Sequence, residues 1–190
     1  MEILTVTKLC KVYPSFKLDD VSFSLTSGHI VGFIGRNGAG KTTTLKCIYN
    51  LVSPTSGSIE YMGKEIRDHE ADSKSDIGLL FGGIDYYPNK KLGVMRKITA
   101  SFYPNWNEKL YEEYLKDFGL DENKKIKELS SGMKVKYGLA IALSHGAKAL
   151  LLDEPTSGLD PVSRDELMDI FLKIVSDGEH TILFLHSRHQ

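Results

Sequence analysis

The chain has 190 residues, a formal net charge of −1, 41% hydrophobic residues and 26% charged ones. That length suits one domain with a substantial core, and the ordinary composition excludes a disordered, collagenous or disulfide-dense chain. Near-neutral charge gives no overall pull toward nucleic acid or anionic lipid, and no apolar run approaches the ~20 residues needed to span a bilayer.

Ile3 to Val12 reads as a strand with partial alternation, unlike a secretory leader. Tyr13-Pro14-Ser15 breaks it, and Val21, Phe23 and Leu25 alternate with serines in a second, half-buried strand. Cys10 and Cys47 are far apart without metal-type spacing, as expected of two inert thiols in a reducing, cytosolic setting. The apolar run Ile30 to Ile34 then leads into Gly35-Arg36-Asn37-Gly38-Ala39-Gly40-Lys41-Thr42, and a helix is predicted from Thr42 to Leu51.

Strand, glycine loop and helix together form a phosphate-binding arrangement. Glycines let the backbone bring its N–H groups close to an anion, and the helix adds its unpaired N–H groups and positive dipole end. Lys41 is expected to reach the β- and γ-phosphates of a nucleotide, and the Thr42 hydroxyl to ligate Mg²⁺.

Further on, Ser58 to Met62 reads as a short strand, residues 67–76 as a polar exposed connection, and Ile77 to Phe81 as another apolar strand before Gly82-Gly83. Leu92, Met95, Ile98 and Phe102 fall at helical spacing. After Pro104, Asn107 is a plausible N-cap, and Leu110, Tyr114, Leu115 and Phe118 continue a helical face to Gly119. Residues 90–145 therefore read as a helical insertion, whose last helix is capped by Ser130 or Ser131. Ala149 to Leu152 is a fully apolar strand running into Asp153-Glu154. Asp160-Pro161 opens a helix, and Thr181 to Leu185 is the last strand.

Alternating strands and helices argue for a largely parallel α/β core. Asp153 ends an apolar strand, where a P-loop NTPase places the acid that holds Mg²⁺. Glu154 beside it is the natural group to polarise an attacking water.

Three segments in order carry a resemblance: Gly35 to Thr42, Leu129-Ser130-Ser131-Gly132-Met133, and Leu150 to Asp160 with its Asp153-Glu154-Pro155-Thr156-Ser157-Gly158-Leu159-Asp160. Together they resemble the ATP-binding subunits of ABC transporters over nearly the whole chain. The wording around Gly132-Met133-Lys134 and Ser144-His145 is similar to that of bacterial exporters. The resemblance implies a P-loop NTPase core with a mostly parallel sheet (residues 1–89 and 146–190), an N-terminal antiparallel β subdomain and a helical signature subdomain (90–145). It implies ATP and Mg²⁺ as ligands. Tyr13 would stack on adenine. Gly35, Asn37, Gly38, Ala39, Gly40, Lys41, Thr42 and Thr43 would hold the phosphates, and Thr42 and Asp153 the metal. Glu154 would be the catalytic base, assisted by Lys41. Ser130 and Gly132 would touch the ATP of a second subunit bound head to tail. A transmembrane permease is the implied partner, which would hold the chain peripherally on the inner face of the membrane. No nucleic acid partner is expected.

The departures are specific. Ser131 and Met133 replace a glycine and a glutamine of the family signature. The family glutamine after the strand ending at Phe81 is missing; Gly82 falls nearest, and Asp85 is the alternative. The family strand after Gly178 runs into a switch histidine, whereas here His186 comes one residue early and the sequence ends at Gln190. The expectations are a domain lacking the family's C-terminal part, an apolar last strand near an open edge, and weak turnover. Two other readings stay open: an ATP-binding module without turnover, and a soluble ABC ATPase unconnected to transport.

Overall fold

The structure, a computed structural model, describes residues 1–81 and 87–187. The chain begins with β1 (Glu2–Tyr13) and β2 (Phe16–Thr26), an antiparallel hairpin in which Tyr13 pairs with Phe16. β4 (Ser56–Tyr61) pairs with the other edge of β1, and the two-residue β5 (Lys64–Glu65) completes the sheet β2-β1-β4-β5. Gly57 has φ +89°, and a Cβ there would stand 2.4 Å from the Lys8 carbonyl oxygen. Only glycine permits that approach of β4 to the bulge in β1.

The second sheet is parallel, in the order β3-β8-β7-β6, from β3 (Ile30–Gly35), β6 (Ile77–Phe81), β7 (Ala149–Asp153) and β8 (Thr181–Ser187). β7 is buried on both faces, as its unbroken apolar sequence requires in a parallel sheet. Ala149, Leu151, Leu183 and Leu185 pack on one face with Leu45 and Ile48 of α1 (Lys41–Ile48) and with Leu4, Leu9 and Leu25 of the antiparallel sheet. Leu150, Leu152 and Ile182 pack on the other with Leu139 and Leu143 of α5 (Ser131–Ser144) and Leu167 and Phe171 of α6 (Pro161–Val175). A third cluster joins Leu92 of α3 (Leu92–Ala100), Tyr111 and Leu115 of α4 (Glu108–Asp117), and Tyr137 of α5. The Tyr137 hydroxyl donates to the Leu92 carbonyl at 2.8 Å, tying α5 to α3.

Caps act as the sequence predicts. Asn107 Oδ1 accepts from Leu110 N–H, Ser130 Oγ from Met133 N–H, and Asp160 Oδ1 from Ser163 N–H.

Four expectations are corrected. Residues 67–76 are not wholly a connection: α2 (Glu70–Asp76) forms there, polar nearly all round with only Ser73 buried, so it has no apolar stripe to read. α1 stops at Ile48 because Asn50 turns left-handed, φ +53°. The spacing in α3 overstates its core face, since Ile98 is half exposed and Phe102 lies beyond the helix, 76% exposed. The last strand is not at an edge, because β8 lies between β3 and β7.

Candidate active site

The site lies at the C-terminal ends of the parallel strands, where β3 feeds α1. Gly38 and Gly40 are left-handed, φ +78° and +93°, and wrap the loop around the N-terminus of α1. Ala39 N–H donates back to Arg36 C=O at 3.2 Å, closing the turn. Gly35 ends β3, and its carbonyl and that of Arg36 each accept from Lys41 Nζ at 3.0 Å. Lys41 is only 7% exposed.

Two adjoining clefts meet at Thr42 and Glu154. One, about 390 Å³, is lined by the loop residues Asn37, Gly38, Gly40, Lys41 and Thr43 and walled by Phe16. The other, about 410 Å³, runs from Asp153 and Glu154 past Pro155 and Ser157 to Ser131 and Val135 at the start of α5. Thr42 Oγ1 donates to Asp153 Oδ2 at 2.9 Å. Burial lifts the Asp153 carboxyl above the usual carboxylate value. The hydrogen bond from Thr42 opposes that shift, and the charge of Glu154 reinforces it.

Glu154 follows Asp153 directly, yet both carboxylates reach the same site. Adjacent strand residues point to opposite faces, and the chain escapes that rule by leaving β7 through a left-handed residue, Glu154 itself, φ +52°. A non-glycine residue there is strained, as functional turns often are. Glu154 Oε1 thereby lies 3.9 Å from Lys41 Nζ.

Ser187, which the sequence does not single out, completes the site. It is 2% exposed, and its Oγ accepts from Lys41 Nζ at 3.0 Å. The same Oγ lies 2.6 Å from Asn37 Oδ1 and is hydrogen-bonded to Glu154 Oε1. The period of two explains it: Leu183 and Leu185 face α1, so Ser187 does too. His186 falls on the opposite face and is exposed. His186 is therefore turned away from Lys41, and Ser187 reaches it. Counting alternation from Leu183 would have found this serine.

Tyr13 sits at the hairpin end, 37% exposed, its ring centroid 6.3 Å from that of Phe16, with Lys11 Nζ 5.3 Å from its own ring. Phe16 is the aromatic that lines the loop cleft. No spacing in the sequence marks it, because its place follows from the pairing of β1 with β2. Ser130 is occupied as the cap of α5, and a Cβ on Gly132 would meet Leu159 at 3.7 Å. Neither lines the two clefts; Ser131 does. Gly82 and Asp85 lie outside the described residues.

Thr42 and Asp153 offer a converging hydroxyl and carboxylate, the hard oxygen donors that Mg²⁺ selects. Among the described residues no group of three or more His, Cys, Asp or Glu could hold a metal. Among the same residues, no helix is long and apolar enough to cross a membrane.

The profile of the ABC transporter family matches residues 18–157. The chain belongs to that family. It is 36% identical over 183 residues to the bacitracin transport ATP-binding protein BcrA of Bacillus licheniformis, covering 95% of this chain and 60% of the relative. It is 33% identical over 174 residues to the ABC transporter ATP-binding protein YtrB of Bacillus subtilis, covering 90% and 58%. The chain thus spans about 60% of the length of these relatives. Among solved structures, cbiO1 of Clostridium perfringens, described as part of the ABC transporter complex cbiONQ, superposes with a TM-score of 0.83 at 26% identity. That match covers 98% of this chain and 79% of the other. The ABC fold, a P-loop core with a parallel sheet, an antiparallel sheet and added helices, is the fold of this chain.

Proposed function

We propose that this ABC chain binds ATP with Mg²⁺ and hydrolyses it to drive a membrane transporter. The observation that carries the reading is the convergence of Lys41, Thr42, Asp153 and Glu154 on two joined clefts beside the glycine loop. The loop N–H groups and Lys41 bind the β- and γ-phosphates. Thr42 and Asp153 would hold Mg²⁺, which supplies charge neutralisation of the phosphate oxygens. Glu154 takes a proton from the attacking water, and ADP and phosphate leave. Tyr13, at the hairpin end, stacks on the adenine, and Phe16 walls the loop cleft. Residues 1–89 and 146–190 act as the nucleotide-binding core. Residues 90–145, which contribute an apolar cluster of their own, act as the helical unit.

Ser130 and Gly132 line neither cleft, and we assign them to the ATP of a second such subunit packed head to tail. The permease partner would seat the chain on the inner face of the membrane. We read the transport as export, on the resemblance around Gly132-Met133-Lys134. A relative named for phosphonates import matches 100% of this chain, so the family match is shared by importers and the export reading rests on those residues.

Steady-state ATP hydrolysis and ATP affinity, measured together on the parent, Lys41→Ala and Glu154→Gln, test the reading. Lys41→Ala is expected to lose at least about 100-fold in affinity, through two or more charge-assisted bonds of about 1.5–3 kcal/mol each. Glu154→Gln is expected to keep its affinity and lose at least about 100-fold in turnover. Parent-like affinity in the first variant, or parent-like turnover in the second, refutes the assignment.

A further inference from the structure

Ser187 carries an inference beyond the nucleotide-binding set. A serine hydroxyl has one proton to give and two lone pairs to receive. Here it has three neighbours: Lys41 Nζ, the Asn37 side-chain amide and Glu154 Oε1. Lys41 can only donate and ionised Glu154 can only accept, so the single hydroxyl proton goes to Glu154. The amide of Asn37 then turns its NH₂, isosteric with its oxygen, toward Oγ and donates. In that arrangement every valence of a buried hydroxyl is used. The Lys41 ammonium is saturated as well, with its three protons on Gly35 C=O, Arg36 C=O and Ser187 Oγ.

We propose that Ser187 is a positioning residue with two opposed effects: it orients the carboxylate of Glu154 for proton transfer, and it competes with phosphate for Lys41. This rests on the ATP-hydrolase reading above. The two roles follow from one hydroxyl bridging the lysine of the loop to the acid of β7. Any phosphate oxygen that engages Lys41 must replace one of three satisfied acceptors, and Ser187 is the only side chain among them. Glu154, in its left-handed turn, is held at Oε1 by this hydroxyl.

The test is Ser187→Ala, with Ser187→Thr as the variant that restores the hydroxyl. Calorimetric titration with a non-hydrolysable ATP analogue and Mg²⁺ needs no turnover, and it decides the point even for a slow enzyme. Ser187→Ala is expected to bind the analogue about three- to tenfold more tightly, because Lys41 has lost a competing acceptor. In parallel its kcat is expected to fall by about tenfold or more, because the base has lost its orientation. Ser187→Thr is expected to return both values toward the parent. A merely structural serine would weaken binding and turnover together. Weaker or unchanged affinity in Ser187→Ala, unchanged kcat, or failure of Thr to restore the parent values overturns the proposal. Lys41→Ala in the same titration separates the two levels. If it still binds, the phosphate assignment fails; if it does not bind and Ser187→Ala behaves as the parent, only the role of Ser187 fails.

Discussion

Gly40 and Gly38 allow backbone strain and packing to be separated experimentally within one loop. Both are left-handed, so alanine at either costs about 1–2 kcal/mol in backbone strain. They differ in surroundings. A Cβ on Gly40 would stand 2.7 Å from Leu18 Cδ1 and 2.9 Å from Phe16 Cζ, whereas one on Gly38 meets nothing within 4 Å. Leu18 is buried, 4% exposed, so its tip yields only by disturbing the packing of the antiparallel sheet. Overpacking of that kind adds about 1–3 kcal/mol. Gly38→Ala is therefore expected to lose about 1–2 kcal/mol and Gly40→Ala about 2–5 kcal/mol. At this chain length each kcal/mol moves Tm by about 2–4 °C, so Gly40→Ala should melt about 5 °C below Gly38→Ala. Thermal unfolding of both variants by circular dichroism, without nucleotide, reads the difference. Melting points within about 1 °C of each other would show that Phe16 and Leu18 do not brace the loop, and the reasoning would fail.

Tyr13→Ala is expected to weaken ATP and GTP alike, by about tenfold, since base stacking is tolerant of base identity; loss of one nucleotide alone would refute stacking. His186→Ala is expected to leave ATP affinity and turnover at parent values, because β8 turns that side chain away from Lys41; a large loss of either would mean the register of β8 is wrong. Asp153→Asn gives a pH test. The Asp153 carboxyl titrates above its ordinary value because burial disfavours its charge, so the folded state holds that proton more tightly than the unfolded state. Ionising it therefore removes stability as pH rises from the ordinary carboxylate range through the raised value. Without Mg²⁺ or nucleotide, the parent should lose Tm relative to Asp153→Asn across that window and stay below it at neutral pH. Parallel melting profiles would refute the shift.

Much of the site was legible because its parts are close in sequence. Gly35 to Thr42 is a single turn whose chemistry depends on neighbouring residues, and Asp153 could be placed once β7 was read from four consecutive apolar residues. What escaped depended on long-range pairing or on one backbone angle. Ser187 faces Lys41 because β8 pairs with β3 in one register, Ile30 beside Ile182, and a slip of one residue would present His186 instead. The direction of Glu154 follows from a positive φ that its sequence does not announce. Phe16 reaches the loop because β2 starts five residues earlier than its serine alternation suggests. Among the helices, α2 has no apolar stripe, and the apparent stripe of α3 is half solvent-facing.

The place of β8 also matters during synthesis. Its hydrogen bonds are what join β3, near residue 30, to β7, near residue 150. While the nascent chain is still short of residue 181, the glycine loop and the acids that face it belong to two pieces with no strand between them. Leu151 and Leu152, fully buried in the finished molecule, then lie along an unpaired edge. Pairing over such separations is slow, and the slot stays open until translation has passed β8. Nucleotide should accordingly bind only after that strand inserts, so ATP capture on ribosome-bound chains of increasing length would report the moment at which this sheet closes.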